Sequence, residues 1–110
     1  MDIRKKAKDL ALDISNSKEY KNFVKAKKEI DANEENKKIL EDFQKKILNY
    51  QVKLAETGKE DNEELEKIQS LQNILMMNED LAKYFQAEYS FSILMRDVNE
   101  ILEKTLKIEG

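Results

Sequence analysis

The chain contains no proline among its 110 residues, and its two glycines lie at positions 58 and 110. Proline and glycine are the residues that most strongly interrupt helices, so long stretches here have no enforced break. The remaining composition is rich in Lys, Glu, Leu, Ala and Gln, which have high helix propensity. Helices are therefore predicted over nearly the whole chain.

Charged residues make up 39% of the chain and apolar residues 40%, which leaves enough Leu, Ile, Val and aromatic side chains to form a hydrophobic core. A length of 110 residues suits a single core. We therefore expect one folded helical domain over residues 1–110, and neither a disordered chain nor two domains.

Apolar residues at three- and four-residue spacing mark the first helices. A first helix is predicted over residues 2–15, on the stripe Ile3, Ala7, Leu10, Ala11 and Ile14. Asn16, with Glu19 three residues later, forms a capping-box pattern. The second helix is therefore predicted to begin at Asn16.

Cap and breaker residues divide the rest of the chain. The third helix is predicted over about residues 34–57, and Gly58 is expected to end it in the left-handed conformation. Asp61, with Glu64 three residues later, is predicted to cap the fourth helix. Asn78 is a candidate cap for a fifth helix, but an uninterrupted junction stays open because no Gly or Pro enforces a stop there.

The C-terminal segment carries the densest apolar pattern: Leu81, Tyr84, Phe85, Phe91, Leu94, Met95, Val98, Ile101, Leu102 and Leu106. A helix over this segment is roughly 40 Å long, whereas a compact domain of this size has a radius of gyration of only about 13 Å. An exposed stripe of that length exceeds what monomers normally tolerate. The predicted fold is therefore all-α: an elongated antiparallel bundle of about five helices, two of them long, that oligomerises.

Part of this stripe is the predicted packing or interface surface between chains. Its residues are Phe85, Glu88, Phe91, Leu94, Met95, Val98 and Leu102. Glu88 differs from the others, because the heptad spacing from Leu81 and Tyr84 calls for an apolar residue there. Two interpretations stay open: burial against a Lys, an Arg or a Tyr hydroxyl that fixes the helix register, or a place at the edge of a drifting stripe.

Residue types that many enzymes and metal sites need are missing. The absence of Cys excludes disulfides, thiolate nucleophiles and thiolate zinc sites, and the absence of His removes the commonest general base and the imidazole ligand. The acidic stretch from Asp31 resembles a calcium loop, but its sixth and twelfth positions are Asn36 and Asp42 where an EF-hand needs Gly and Glu. We therefore predict a non-enzyme with no catalytic residues, metal or cofactor.

The sequence also indicates where in the cell the protein is expected. Its apolar runs are far shorter than the ~20 residues that cross a bilayer. The basic N-terminal residues are followed by an amphipathic stretch and not by the continuous apolar run of a secretion signal. We expect a cytoplasmic protein with no membrane partner.

Positive charge is concentrated near the N-terminus, where residues 1–28 hold nine Lys or Arg and four acids in a chain of net charge −3. On the second helix, one side is lined by Lys18, Lys21, Lys25 and Lys28. Such a stripe could bind RNA or DNA phosphates, pair with the acidic part of another subunit, or simply be solvated beside a core stripe. A nucleic-acid accessory protein is thus the alternative to a regulator that acts through protein–protein interaction.

Several short segments together resemble the YlbF/YmcA family. They are Ser17-Lys18-Glu19-Tyr20, Phe43-Gln44, Gln51, Gly58, Asn78, Ala87-Glu88, Phe91-Ser92-Ile93-Leu94-Met95 and Val98-Asn99. Their order and spacing extend the resemblance from about Ala7 to Leu106.

The resemblance implies a bacterial cytoplasmic helical protein that forms homodimers or higher oligomers. Characterised relatives regulate competence, sporulation and biofilm development through protein complexes linked to RNA processing, so the implied partners are a second copy and other regulatory proteins. Complex-forming members carry Cys residues that bind iron–sulfur clusters, and this chain has no Cys. The nearer resemblance is to the Cys-free, YheA-like (UPF0342) branch, which has no catalytic residues to transfer.

Overall fold

A computed structural model describes residues 2–107 and contains five helices in that range. They are α1 (Ile3–Ser15), α2 (Lys18–Asp31), α3 (Glu34–Thr57), α4 (Asn62–Leu75) and α5 (Glu79–Thr105). No strand occurs within residues 2–107. The prediction of an all-α chain with five helices is confirmed, and the two long ones are α3 with 24 residues and α5 with 27.

Side chains cap the N-termini of α1, α3 and α4, where backbone N–H groups would otherwise lack partners. Asp2 accepts from the N–H of Arg4 at 3.0 Å, Asn33 from that of Asn36 at 3.1 Å, and Asp61 from that of Glu64 at 3.1 Å. Gly58 ends α3 with a φ of 68°, and its N–H donates to the carbonyl of Leu54 at 2.8 Å. The predicted roles of Asp61 and Gly58 are confirmed.

The start of α2 differs from the prediction. Asn16 is not its cap, because Asn16 has helical backbone angles and its N–H donates to the carbonyls of Leu12 and Asp13, which makes it the C-terminal cap of α1. Ser17 takes the N-terminal position instead: its hydroxyl oxygen accepts from the N–H of Tyr20 at 3.1 Å. The capping-box prediction at Asn16 was wrong by one residue, because a residue still in the last turn of one helix cannot adopt the extended backbone that an N-cap requires.

The junction between α4 and α5 is a real break. The side-chain oxygen of Asn78 accepts from the N–H groups of Asp80 at 3.0 Å and Leu81 at 3.2 Å. Helix α4 has already ended at Leu75. Asn78 therefore caps a separate fifth helix, which settles the alternative left open by the sequence.

Contacts divide the chain into two compact units. The central unit, Lys28–Lys83, holds α3, α4 and the adjoining ends of α2 and α5. Its buried apolar residues are Ile30, Leu40, Phe43, Tyr50, Leu75 and Leu81. The terminal unit combines residues 2–27 with residues 84–107. That residues 1–110 form one domain stays a prediction.

Candidate protein interaction surface

Helix α1 belongs to the terminal unit, and none of its residues is buried. Its stripe is nevertheless apolar: the side chains of Ile3 and Leu10 are 82% and 40% exposed, and Ala7 and Ala11 also lie in solvent. A 13-residue helix is marginal in water on its own, because nucleation costs more than so few hydrogen bonds return. Helix α1 therefore needs a packing partner for its apolar face.

The end of α5 and Leu106, which directly follows it, expose a second apolar surface in the same unit. Ile101, Leu102 and Leu106 are 65%, 49% and 72% exposed. One to three turns earlier, Leu94, Met95 and Val98 are half-buried. The predicted surface thus splits along the helix, with its first part partly packed within the chain and its end open to solvent. Together, the apolar faces of α1 and of α5 from Leu94 onward are called the terminal apolar surface.

An aromatic cluster holds α2 against α5 in the terminal unit. The rings of Phe23 and Phe91 are stacked, with centroids 5.5 Å apart and planes 12° from parallel, and the ring of Tyr20 meets Phe91 edge-on at 5.5 Å. Phe23 also lies 5.6 Å from Tyr84. From Tyr20 to Phe23 the residue numbers increase along α2, while the rings that they contact on α5 go from Phe91 back to Tyr84. The two helices are therefore antiparallel.

This cluster locates two residues of the predicted surface. Phe91 is half-buried in the stack, and Phe85 is half-buried with its ring 5.8 Å from that of Tyr84. Both pack within the chain. The sequence alone does not pair Tyr20 and Phe23 with Phe91, because helical spacing identifies a face and not its neighbour.

Glu88 is also half-buried. Among residues 2–107 its carboxylate forms no ion pair. The position on α5 lies between the aromatic contacts of Tyr84 and those of Phe91. This placement favours the edge-of-stripe interpretation over a buried charge pair.

The exposed apolar residues outside the predicted set include Ile3, Ile101 and Leu106. The sequence did carry a signal for them. Each continues the three- or four-residue apolar spacing of its segment.

The four lysines of the predicted basic stripe are all exposed on α2: Lys18, Lys21, Lys25 and Lys28. Their spacing of three, four and three residues puts them on one side of the helix. An exposed row of ammonium groups can attract an anionic partner, and it can equally remain solvated.

The central unit contains an open groove of about 620 Å³ between the end of α3 and the start of α4. Tyr50 and Asp61 line it, and the hydroxyl oxygen of Tyr50 accepts from the backbone N–H of Asp61 at 3.3 Å. This bond ties the α3–α4 connection to α3. Within the described residues, no group of three or more acidic side chains could hold a metal ion, and no helix is long and apolar enough to span a membrane.

Comparison with known proteins gives matches over the five helices. The family profile described as control of competence regulator ComK, YlbF/YmcA, matches residues 3–107. A UPF0342 protein of Clostridium novyi is 37% identical over 106 residues, which cover 96% of this chain and 93% of the relative. For a UPF0342 protein of Halothermothrix orenii the identity is 36% over 102 residues, covering 93% and 86%. A UPF0342 protein of Staphylococcus aureus is 29% identical over 100 residues, covering 91% and 88%.

Proposed function

The chain belongs to the YlbF/YmcA family, and on this premise we propose that it is a non-enzymatic regulatory adaptor that acts in the cytoplasm by binding other proteins and a copy of itself. The family description concerns control of a competence regulator, which is a regulatory role and not a chemical step. Regulation by an adaptor requires a surface that other proteins can bind. The observation that carries the proposal is the terminal apolar surface.

The physical argument is the cost of exposed apolar area. Burial of apolar surface contributes roughly 25 cal/mol per Å², and large contiguous apolar patches on soluble proteins mark interaction sites. In the terminal unit, exposed apolar side chains lie on both segments, with Ile3 and Leu10 on α1, Ile101 and Leu102 on α5, and Leu106 directly after α5. A protein partner that covers them gains the burial that the single chain does not make.

The non-enzymatic part of the proposal rests on the side chains that are present. The groove beside Tyr50 is open to solvent and is lined by charged residues, of which Lys53 and Glu60 are exposed and Glu64 is half-buried. Acid–base catalysis usually relies on groups whose pKa values are shifted by burial or by close charges. A protein-binding role needs no such group.

The proposal is tested by purifying tagged chain from the source cell. Wild type is expected to retain one or a few proteins in stoichiometric amounts, and Ile101→Asp to lose them, because a charge in the terminal apolar surface would be desolvated on binding. Asn99→Asp is the matched control: it adds the same charge at an exposed position of α5 outside the apolar stripe. Equal retention by the two variants, or no retained protein with wild type, would overturn the proposal.

The second candidate function, binding of RNA, is supported by the exposed lysine row on α2. Binding of a fluorescent single-stranded RNA should then weaken steeply as salt rises, because each phosphate contact releases counterions. Replacing Lys18, Lys21 and Lys25 by Gln should abolish it, whereas replacing Lys37, Lys45 and Lys46 of α3, which are also exposed, should not. Equal loss from both sets of substitutions, or no binding at low salt, excludes this candidate.

A further inference from the structure

We infer that the open groove between the end of α3 and the start of α4 is a docking site for a basic segment of a partner protein. An arginine or lysine side chain of that segment lies among the carboxylates of the groove, and one of its backbone carbonyls accepts from the hydroxyl of Tyr50. The groove belongs to the central unit, whereas the terminal apolar surface belongs to the other unit. The site therefore adds a second binding surface to the proposed adaptor and does not depend on the first.

Negative charge predominates in this groove. Its four acidic lining residues are Glu56, Glu60, Asp61 and Glu64, and its two basic ones are Lys53 and Lys59. Among residues 2–107, none of these four carboxylates forms an ion pair. The groove thus has more carboxylates than ammonium groups, and its carboxylates are free to bind a cation. A guanidinium or ammonium group is the side chain that complements such a surface.

Tyr50 supplies the contact that fixes the position of the bound segment. This residue is only 9% exposed, and it lines the groove. Its hydroxyl oxygen accepts from the backbone N–H of Asp61 at 3.3 Å, but within residues 2–107 no group accepts from its O–H. A phenol is a donor as well as an acceptor, and buried donors are nearly always paired. The carbonyl oxygen of a peptide in the groove is an acceptor of the required kind.

The neighbouring surface gives the site a direction. A smaller hollow of about 390 Å³ shares Tyr50, Lys53 and Glu64 with the groove. Lys46 also lines this hollow, so its charged residues are two lysines and one acid. Val52, which is 47% exposed, adds an apolar contact there. The cation of a bound segment therefore belongs in the larger groove, and the rest of the segment can extend past Tyr50 over Val52.

The lining favours a peptide over a small metabolite. Small-molecule sites are concave, bury most of the ligand and are lined mainly by apolar side chains. Here Tyr50 and Leu54 are the lining residues with large apolar groups, and the groove is open to solvent. Its walls are held in place by the cap that Asp61 forms at the start of α4 and by the bond from Asp61 to Tyr50. A preformed surface of this kind loses little freedom when it binds.

The probe for this site is the peptide acetyl-Arg-Ala-Arg-amide, titrated at low salt into the full nitrogen-15-labelled chain and followed by amide chemical shifts. We expect saturable shifts at the groove residues Thr57, Lys59, Glu60 and Asn62. The control peptide replaces both arginines by citrulline, which keeps the backbone carbonyls and the side-chain shape but is neutral. It should bind at least about threefold more weakly, because exposed ion pairs each contribute modestly.

Two double variants locate the binding. Glu56→Gln with Glu60→Gln should weaken binding of the arginine peptide by at least about threefold. The matched control is Glu63→Gln with Glu66→Gln, which neutralises two exposed carboxylates of α4 that do not line the groove. Both double variants change the net charge equally, so the control should bind as wild type does.

A single variant tests the hydroxyl. Tyr50→Phe keeps the ring and removes the donor, and it should weaken binding of the arginine peptide by about two- to tenfold, the usual effect of one lost hydrogen bond. Unchanged binding by this variant would overturn the assignment of Tyr50 as the donor.

Three results would overturn the docking site as a whole: equal weakening by the two double variants, equal binding of the arginine and citrulline peptides, or amide shifts confined to other parts of the chain. Ile101→Asp, in the other unit, should leave peptide binding unchanged. If the groove fails these tests while wild type retains a partner protein that Ile101→Asp loses, the proposed function still stands.

Discussion

Asn78 donates a side-chain N–H to the side-chain oxygen of Asn36 at 2.9 Å, and this bond joins the first turn of α3 to the start of α5 within the central unit. Asn36 is a buried polar residue, and the same Asn78 side chain caps α5 through its oxygen. The side-chain amide of Asn78 thus donates to the buried oxygen of Asn36 and accepts from two backbone N–H groups.

Replacing Asn78 should separate these two roles. Asn78→Ser keeps an N-cap oxygen but is too short to reach Asn36, so it should destabilise by about 1–2 kcal/mol through the unsatisfied buried amide. Asn78→Ala also removes the cap and should cost about 1 kcal/mol more. Urea denaturation monitored by circular dichroism measures both. Two variants of equal stability would show that the cap contributes nothing.

Ser17 and Asn16 offer a second comparison. Ser17→Ala should destabilise by about 1 kcal/mol, because the N–H of Tyr20 loses its acceptor at the start of α2. Asn16→Ala should change stability by no more than about 0.5 kcal/mol, since the bonds that Asn16 makes to α1 come from its backbone. Thermal unfolding of the two variants is the measurement, and a larger loss from Asn16→Ala would contradict the assignment of the cap.

Gly58→Ala should destabilise by about 1 kcal/mol. The space around a Cβ at this position is open, with no atom beyond the adjoining residues within 4 Å, so the cost comes from the left-handed backbone alone. Gly58→Asn should lose less, because Asn tolerates that conformation better. Urea midpoints of the two variants decide this, and a loss as large for Asn as for Ala would implicate something other than backbone strain.

Phe91→Ala should destabilise by about 2–3 kcal/mol, somewhat below the cost for a fully buried Phe, because it removes the stack with Phe23 and the edge contact with Tyr20. Tyr89→Ala is the control on the same helix, since that side chain is exposed. It should change stability by at most about 0.5 kcal/mol. Similar losses from the two variants, measured by chemical denaturation, would mean that the aromatic cluster does not stabilise the terminal unit.

Local sequence signals predicted much of the helical pattern. The bounds of α3, its end at Gly58 and the caps at Asp61 and Asn78 follow from interactions within a few residues, which a sequence displays directly. The start of α2 was misplaced for a local reason too, because Asn16 and Ser17 are both good caps and the choice between them depends on where α1 stops.

The sequence by itself determined that the chain is helical, where most helices begin and end, and which face of each is apolar. Only the tertiary structure decided that Phe91 stacks on Phe23, that Asn36 is buried against Asn78, and that Ile101 and Leu106 remain exposed. The physical reason is the distance along the chain over which each interaction acts. Caps and helical period act over one or two turns of the backbone, whereas the neighbour that covers an apolar face comes from a distant part of the chain, or from another chain.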